Sequence, residues 1–282
     1  MDHIGAIDVK AAFLQAPRRT QMTRVTVGEP PSLLKAMNLV KPDEKWIIKQ
    51  ALYGLIESPG DWGQHRDEQL PHLRWRHAGQ EFTLKETKER HVWAVRRVGA
   101  PETEDNHGFV LVYVDDMLLF GDTEQVKATA AAVRSLWECS PLELLDETKE
   151  LHFCGMELRR YKSGVFLSQT GYLVEMLKRY EVQGVEPYPL PKVEDGEDEE
   201  PYLKALRRAQ TLVGELLWAS TRTRPDIAFA TGLLDRLAHR RPNYVNTLGE
   251  HLLKYLQGTT DYGLNYQPGD DTDYGDGQLP DL

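Results

Sequence analysis

Asp115 and Asp116 stand side by side between two apolar runs, Phe109-Val-Leu-Val-Tyr-Val114 and Met117-Leu-Leu-Phe120. Ionised carboxylates taken out of water cost several kcal/mol each even after relaxation, and adjacent ones also repel. Asp is a common turn residue, so a solvated Asp-Asp turn accounts for the pair taken alone. A third acid changes that balance. Asp8 closes the apolar run Ile4-Gly-Ala-Ile7, and the small residues Ala11 and Ala12 behind it let another element approach closely. If its strand lies beside the hairpin, three carboxylates converge on one rim, an arrangement that divalent cations would neutralise. Mg2+ takes one or two carboxylates and fills its shell with water and substrate phosphates. Two such ions about 3.5–4 Å apart activate an attacking hydroxyl and stabilise the leaving oxygen. From chemistry alone, these residues point to two-metal phosphoryl or nucleotidyl transfer.

The elements that must position them are partly legible. Ile4–Asp8 reads as a short strand running into a helical turn over Val9–Leu14. Residues 16–45 read as strands and loops. Asp61–Leu73 forms a helix after the Ser58-Pro59-Gly60 breaker. The two apolar runs around Asp115-Asp116 form a hairpin, and Thr123–Trp137 follows as a helix with Thr123 as N-cap. A second hairpin spans Leu151–Ser168, turning at Ser163-Gly164, before a helix over Gln169–Tyr180. Tyr202, Ala205, Leu206, Ala209, Leu212, Val213, Leu216 and Leu217 recur at helical spacing. Pro225–His239 and Asn243–Leu256 add two more helices. The class is α+β followed by a helical region.

Composition at first argues against an anionic partner. The 282 residues carry 34 bases against 44 acids, a net charge of −10. The charge is segregated, however. Glu194–Glu200 holds six acids and no base, and Gly269–Leu282 holds five acids and no base. Without those eleven acids the chain has 33 acids against 34 bases, and Tyr202–Gln267 alone has nine bases against five acids. Each acidic run is expected to be a solvated linker or tail, and the basic helical region is compatible with a phosphate backbone. No segment approaches the roughly 18–20 apolar residues of a membrane span, and the start lacks the pattern of a secretory signal. With only Cys139 and Cys154, no disulfide framework forms, so an intracellular chain, cytoplasmic or nuclear, is expected. The spacing of Cys139, His152 and Cys154 fits no compact zinc site.

At the acidic residues the sequence resembles the reverse transcriptase of Ty1/copia-type LTR retrotransposons. Asp8-Val-Lys-Ala-Ala-Phe-Leu14, Leu52-Tyr-Gly-Leu55 with Ser58-Pro59 and Trp62, and Tyr113-Val-Asp-Asp116 occur in the family's order and approximate spacing. Phe153-Cys-Gly-Met-Glu157, Leu167-Ser-Gln169 with Tyr172, Val213-Gly214 with Leu217-Trp218, Arg224-Pro-Asp-Ile227 and Lys254-Tyr-Leu-Gln-Gly-Thr259 with Gly263-Leu264 and Tyr266 extend the match over roughly residues 4–266. The resemblance implies a polymerase-type palm, an antiparallel sheet with flanking helices, followed by a helical thumb or connection. Residues 1–190 would be the palm with its fingers largely missing, 191–201 an acidic linker, 202–266 the thumb/connection and 267–282 an acidic tail.

By the same resemblance Asp8, Asp115 and Asp116 would be catalytic. With the Val9 carbonyl they would hold two Mg2+ ions, or Mn2+ in their place. Phe13 would be the steric gate that selects dNTPs, and Tyr53, Gly54, Ser58 and Pro59 would lie against the incoming nucleotide. Tyr113 and Val114 would meet the primer end, and Arg207, Arg208 and Arg224 the nucleic-acid backbone. The partners would be an RNA or DNA template-primer and dNTPs, with no membrane; the oligomeric state is left open.

Three departures separate the chain from the family pattern. No fingers region precedes Asp8, and Ile56-Glu57 and Gly60-Asp61 stand where the family commonly has Lys-Gln and Arg. The RNase H domain that the family pattern leads one to expect after the connection is not found in this sequence, nor is an integrase or protease portion. The expectation is therefore an RNA-directed DNA polymerase domain in an incomplete or degenerate copy. The alternative kept beside it is a non-catalytic remnant with at most weak nucleic-acid binding. A nucleotide cyclase, a third palm-type candidate, lacks support from the downstream motifs.

Overall fold

Gly108–Tyr113 and Asp116–Gly121 pair antiparallel, as the two apolar runs require, but the loop between them is Val114-Asp115. Asp116 is the first residue of the second strand, opposite Tyr113, so the turn lies one residue earlier than the sequence suggests. This hairpin belongs to a computed structural model that describes residues 3–18, 25–161, 164–200 and 203–267. The chain divides into two compact units, Met1–Leu144 and Leu145–Leu282. The acidic run at 194–200 falls inside the second unit.

In the first unit, β1 (His3–Asp8), α1 (Ala12–Gln15), β2 (Val27–Gly28), α2 (Ser32–Ala36), β3 (Trp46–Ile47) and α3 (Ser58–Gln69) precede the sheet's main body. That body comprises β4 (Arg74–His77), β5 (Gln80–Glu86), β6 (Val92–Arg97), β7 (Gly108–Tyr113) and β8 (Asp116–Gly121). Helix α4 (Thr123–Leu136) and β9 (Glu143–Leu144) complete the unit. The seven-stranded order is β4-β5-β6-β7-β8-β1-β9, with every pairing antiparallel. β1 is thus inserted between two strands from more than a hundred residues later.

Side chains alternate across a strand. The row Ile7–Met117–Val112 is buried in the core with Trp62 of α3 and Val126 and Val133 of α4. The next row, Asp8–Asp116–Tyr113, takes the opposite face. Gly5 lets α4 close on β1, because a Cβ there would stand 2.8 Å from Leu142 and Val126 side-chain atoms. The N-cap of α4 is Asp122 rather than Thr123: its carboxylate accepts the Gln125 N–H at 2.8 Å. The α4 cap shifts by one residue because a carboxylate on extended backbone outcompetes the following hydroxyl.

In the second unit, Leu151–Ser168 makes three strands where two were expected. β10 (Leu151–Phe153), β11 (Met156–Tyr161) and β12 (Gly164–Ser168) form a sheet that β13 (Leu264–Tyr266) joins at the β12 edge. The extra turn is Cys154-Gly155, both at positive φ; Ser163 lies outside the described residues. Helix α5 (Thr170–Arg179) follows β12, and α6 (Leu203–Ser220), α7 (Ala228–Leu237) and α8 (Pro242–Gln257) form the helical region. Of the apolar positions spaced along α6, Ala205, Ala209, Leu212, Val213 and Leu216 are buried, whereas Leu206 is half-buried and Leu217 is exposed. Tyr202, read as the start of that stripe, lies outside the described residues, as does the acidic tail from residue 268.

The run Glu194–Glu200 is largely exposed, as expected of a solvated segment, but is tied to α8 and its flank at several points. The Glu199 carboxylate accepts the Asn243 and Tyr244 N–H groups at 2.7 and 3.0 Å, at the N-terminus of α8. Asp198 pairs with Arg240 at 2.9 Å, and Arg241 donates to the Glu194 carbonyl at 2.8 Å. Carboxylates are favoured where a helix N-terminus presents unpaired N–H groups and cations stand beside it.

Candidate active site

The backbone brings Asp8 and Asp115 together. β1 ends at Asp8 opposite Asp116, and the next residue, Val9, donates its N–H to the Asp115 carbonyl at 2.9 Å. Ser140 holds the other side of β1: its hydroxyl accepts the Asp8 N–H at 2.9 Å, and its own N–H donates to the Asp8 carbonyl at 2.8 Å. The Asp115 turn is held from below. The Val114 carbonyl accepts from Trp62 Nε1 at 2.7 Å and from Arg66 Nη1 at 3.1 Å, both on α3. Val114 sits at φ 54, a left-handed conformation that costs a β-branched residue about 1–3 kcal/mol. In a two-residue hairpin loop that position ordinarily goes to Gly or Asn.

The side chains form a small electrostatic cluster. Burial, and then the charge of Asp115, raise the Asp8 carboxyl above its ordinary value. The Tyr53 phenol is raised as well, first by burial and then by the charges of Asp115 and Asp8. Its ring lies 4.6 Å from that of Phe13 at 39°. Phe13, Tyr53, Asp8 and Asp115 therefore share one locality. Asp116 is placed beside them by its register with Asp8, and Tyr113 and Val114 are exposed at the same hairpin tip.

The loop carrying Tyr53 is anchored rather than free. Ser58 is buried and its hydroxyl accepts the Leu52 N–H at 3.0 Å, so it closes the loop from beneath. Gly54 supplies φ 91 within it, and Pro59 occupies the first turn of α3. Ala51 donates to the Ala16 carbonyl at 3.0 Å, which ties the loop to the end of α1.

A group of three acids does not form: among the described residues no three or more His, Cys, Asp or Glu side chains are arranged to hold a metal ion. The fit to Mg2+ therefore rests on fewer ligands. Two neighbouring carboxylates, hard oxygen donors with burial and mutual charge raising one of them, match a cation that needs only one or two protein carboxylates. Asp8 and Asp115 would hold it.

The three arginines of the helical region divide. Arg207 is exposed on α6, and Arg208 is exposed but paired with Glu250 at 2.9 Å. Arg224 is 0% exposed. Its guanidinium grips Asp226 through two hydrogen bonds at 2.9 and 2.7 Å and donates to the Thr259 carbonyl and hydroxyl. The expectation that Arg224 meets a nucleic-acid backbone is corrected: its donors are spent inside the second unit, where it joins α7's entry to the end of α8. Sequence reasoning missed Arg66 and Ser140. Their roles depend on pairings 48 and 132 residues away in the chain, for which no local pattern exists.

Comparison with known proteins extends the resemblance. No family model matches the chain. The Ty5-1 transposon protein YCL074W of Saccharomyces cerevisiae is 26% identical over 270 residues, 93% of this chain and 79% of the yeast protein. The retrovirus-related Pol polyprotein from transposon RE2 of Arabidopsis thaliana is 26% identical over 272 residues, 94% of this chain. The chain is a retrotransposon Pol homologue. A third Pol relative, from transposon TNT 1-94 of Nicotiana tabacum, is 26% identical over 91% of the chain. The Pol homologue spans 17% of the RE2 polyprotein and 18% of the TNT 1-94 polyprotein, so it corresponds to one stretch of each. No helix among its described residues is long and apolar enough to cross a membrane.

Proposed function

We propose that this Pol homologue is the reverse transcriptase portion of a Ty1/copia-type element, an RNA-directed DNA polymerase whose palm is the seven-stranded sheet. The observation that carries the reading is the juxtaposition of Asp8, at the end of an internal strand, with Asp115, at the tip of the neighbouring hairpin. In this reading the two carboxylates hold Mg2+, and Asp116 and the Val9 carbonyl stand beside them. Bound Mg2+ would supply activation of the primer hydroxyl and stabilisation of the leaving pyrophosphate. The Phe13–Tyr53 ring pair offers an aromatic wall beside the metal ligands, suited to the sugar and base of a dNTP, with Phe13 excluding a 2′-hydroxyl. Tyr113 and Val114, exposed at the tip, would meet the primer end, and exposed Arg207 the template-primer backbone.

Primer extension with Mg2+ tests this directly. The expected outcome is dNTP incorporation on an RNA template that falls about a hundred- to a thousandfold in Asp115→Asn. Extension that Asp115→Asn leaves unchanged would reject the two-metal site.

A non-catalytic remnant is the second reading. It is favoured by the loop beside Tyr53, where Ile56 is 95% exposed and Glu57 adds an acid near a site meant for a triphosphate. Developing phosphate charge needs cations there. No extension by this chain, alone or joined to a family-type fingers segment, would select the remnant.

A further inference from the structure

A guanidinium is buried directly beneath the hairpin tip. Arg66 is 3% exposed on α3 and reaches three separate partners. Its Nη1 donates to the Val114 carbonyl at 3.1 Å, its Nε to Asp67 Oδ1 at 2.8 Å, and its Nη2 stands 3.4 Å from His91 Nδ1 in the loop between β5 and β6. Taking a cation out of water is costly unless its donors are used. An apolar side chain would fill the same position without that cost, so packing alone does not account for arginine here. Lysine could not substitute, because one ammonium cannot span three diverging partners as a planar fork can.

We infer that Arg66 is a positioning residue for Asp115: it fixes the peptide plane before the aspartate, and with it the direction of the carboxylate toward Asp8. Two peptide planes flank Asp115. The one after it is fixed by the Val9 N–H on the Asp115 carbonyl. The one before it is fixed by Trp62 and Arg66 on the Val114 carbonyl. With both planes held, the Asp115 Cα–Cβ bond has one direction. The left-handed φ of Val114 makes the hold necessary, since a free turn would relax away from it. Trp62, one helical turn before Arg66, keeps the carbonyl bonded if the arginine is removed. The fold therefore survives that loss while the plane is held from one side only.

The inference rests on the reading of Asp8 and Asp115 as metal ligands, and the test separates the two. Mn2+ alone is titrated into the full chain, into Asp115→Asn and into Arg66→Met and Arg66→Lys, followed by electron paramagnetic resonance, with a melting curve for each. The chain is expected to bind Mn2+ in a manner that Asp115→Asn removes. R66M is expected to bind about tenfold more weakly, the size typical of a group that orients a ligand, at a melting temperature within a few degrees of the parent. R66K, which keeps one donor, recovers part of the affinity. Primer extension should show kcat reduced and the KM for dNTP unchanged. Asp115-dependent binding that R66M leaves intact overturns the inference alone. Should R66M fail to fold, R66K binding as tightly as the parent overturns it equally. No Asp115-dependent binding in the parent overturns the metal-ligand reading, and the inference with it.

Discussion

Asp8 is held above its ordinary carboxyl value by burial and by Asp115, so ionising it at neutral pH works against folding. A raised folded-state value means that its stabilising contribution is present at low pH and is lost as pH rises through that value. Asp8→Asn, which cannot ionise, is therefore expected to melt about 1–3 °C higher than the parent at pH 7. The difference should disappear below the ordinary value of 3.8. Thermal unfolding across pH 3–8 measures this, and a variant that melts lower at pH 7 contradicts it. The same substitution should abolish Mn2+ binding if the pair is a metal site, so stability and function are set against each other in one side chain. Arg224 is the contrasting case. Both it and Asp8 are ionisable residues opening a local motif, yet the Arg224 guanidinium is met inside the protein by the Asp226 carboxylate and Thr259. Residue type could not tell the two apart; burial and partners do.

Among the elements, the acidic segment before α6 carries the clearest consequence. Although burial alone would raise it, the Glu199 carboxyl is lowered by the Asn243 and Tyr244 N–H groups it accepts. A lowered folded-state value contributes stability above the ordinary 4.5 and loses it as pH falls below. Glu199→Gln is expected to cost about 0.5–1 kcal/mol at pH 7, as for a lost helix N-cap. It should also flatten the decline of stability between roughly pH 5 and 3. Urea unfolding at several pH values checks both. Periodicity made α6 legible, and apolar runs made the β7–β8 hairpin legible, because each signal is local. Composition marked the acidic run as solvated, and it is largely exposed; what counting charges cannot show is that Asn243, Tyr244, Arg240 and Arg241 hold it. β4 and β5 are hard to read because polar residues dilute their alternation, with Phe82 and Leu84 the only apolar pair in β5, whereas β6 begins with the apolar run Val92-Trp-Ala-Val95. The register that sets Asp8 opposite Asp116 was legible only through motif order, as a pairing across that distance leaves no trace in either segment.

For the molecule as a whole, two cores are built from separate stretches. One unites Ile7, Trp62, Met117 and Val133, the other Leu173, Leu212, Ile227 and Leu252. A net charge of −10 is compatible with this proposed polymerase because eleven acids are confined to residues 194–200 and 269–282, and the rest of the chain has 33 acids against 34 bases. The insertion of β1 between β8 and β9 has a further consequence that concerns time rather than geometry. β1 leaves the ribosome before every other strand of its sheet, and Ser140, which grips Asp8, lies 132 residues later. Until β8 and β9 emerge, Ile4 and Ile7 have no sheet to join, and the strand is an open template for other chains. Nascent chains arrested short of residue 121, outside the exit tunnel, should therefore stay fully protease-sensitive. Chains arrested beyond residue 144 should yield a protected fragment, and pulse proteolysis of the arrested chains would record the change. The strand that ends in Asp8 would then wait longest for its partners among the strands of its sheet.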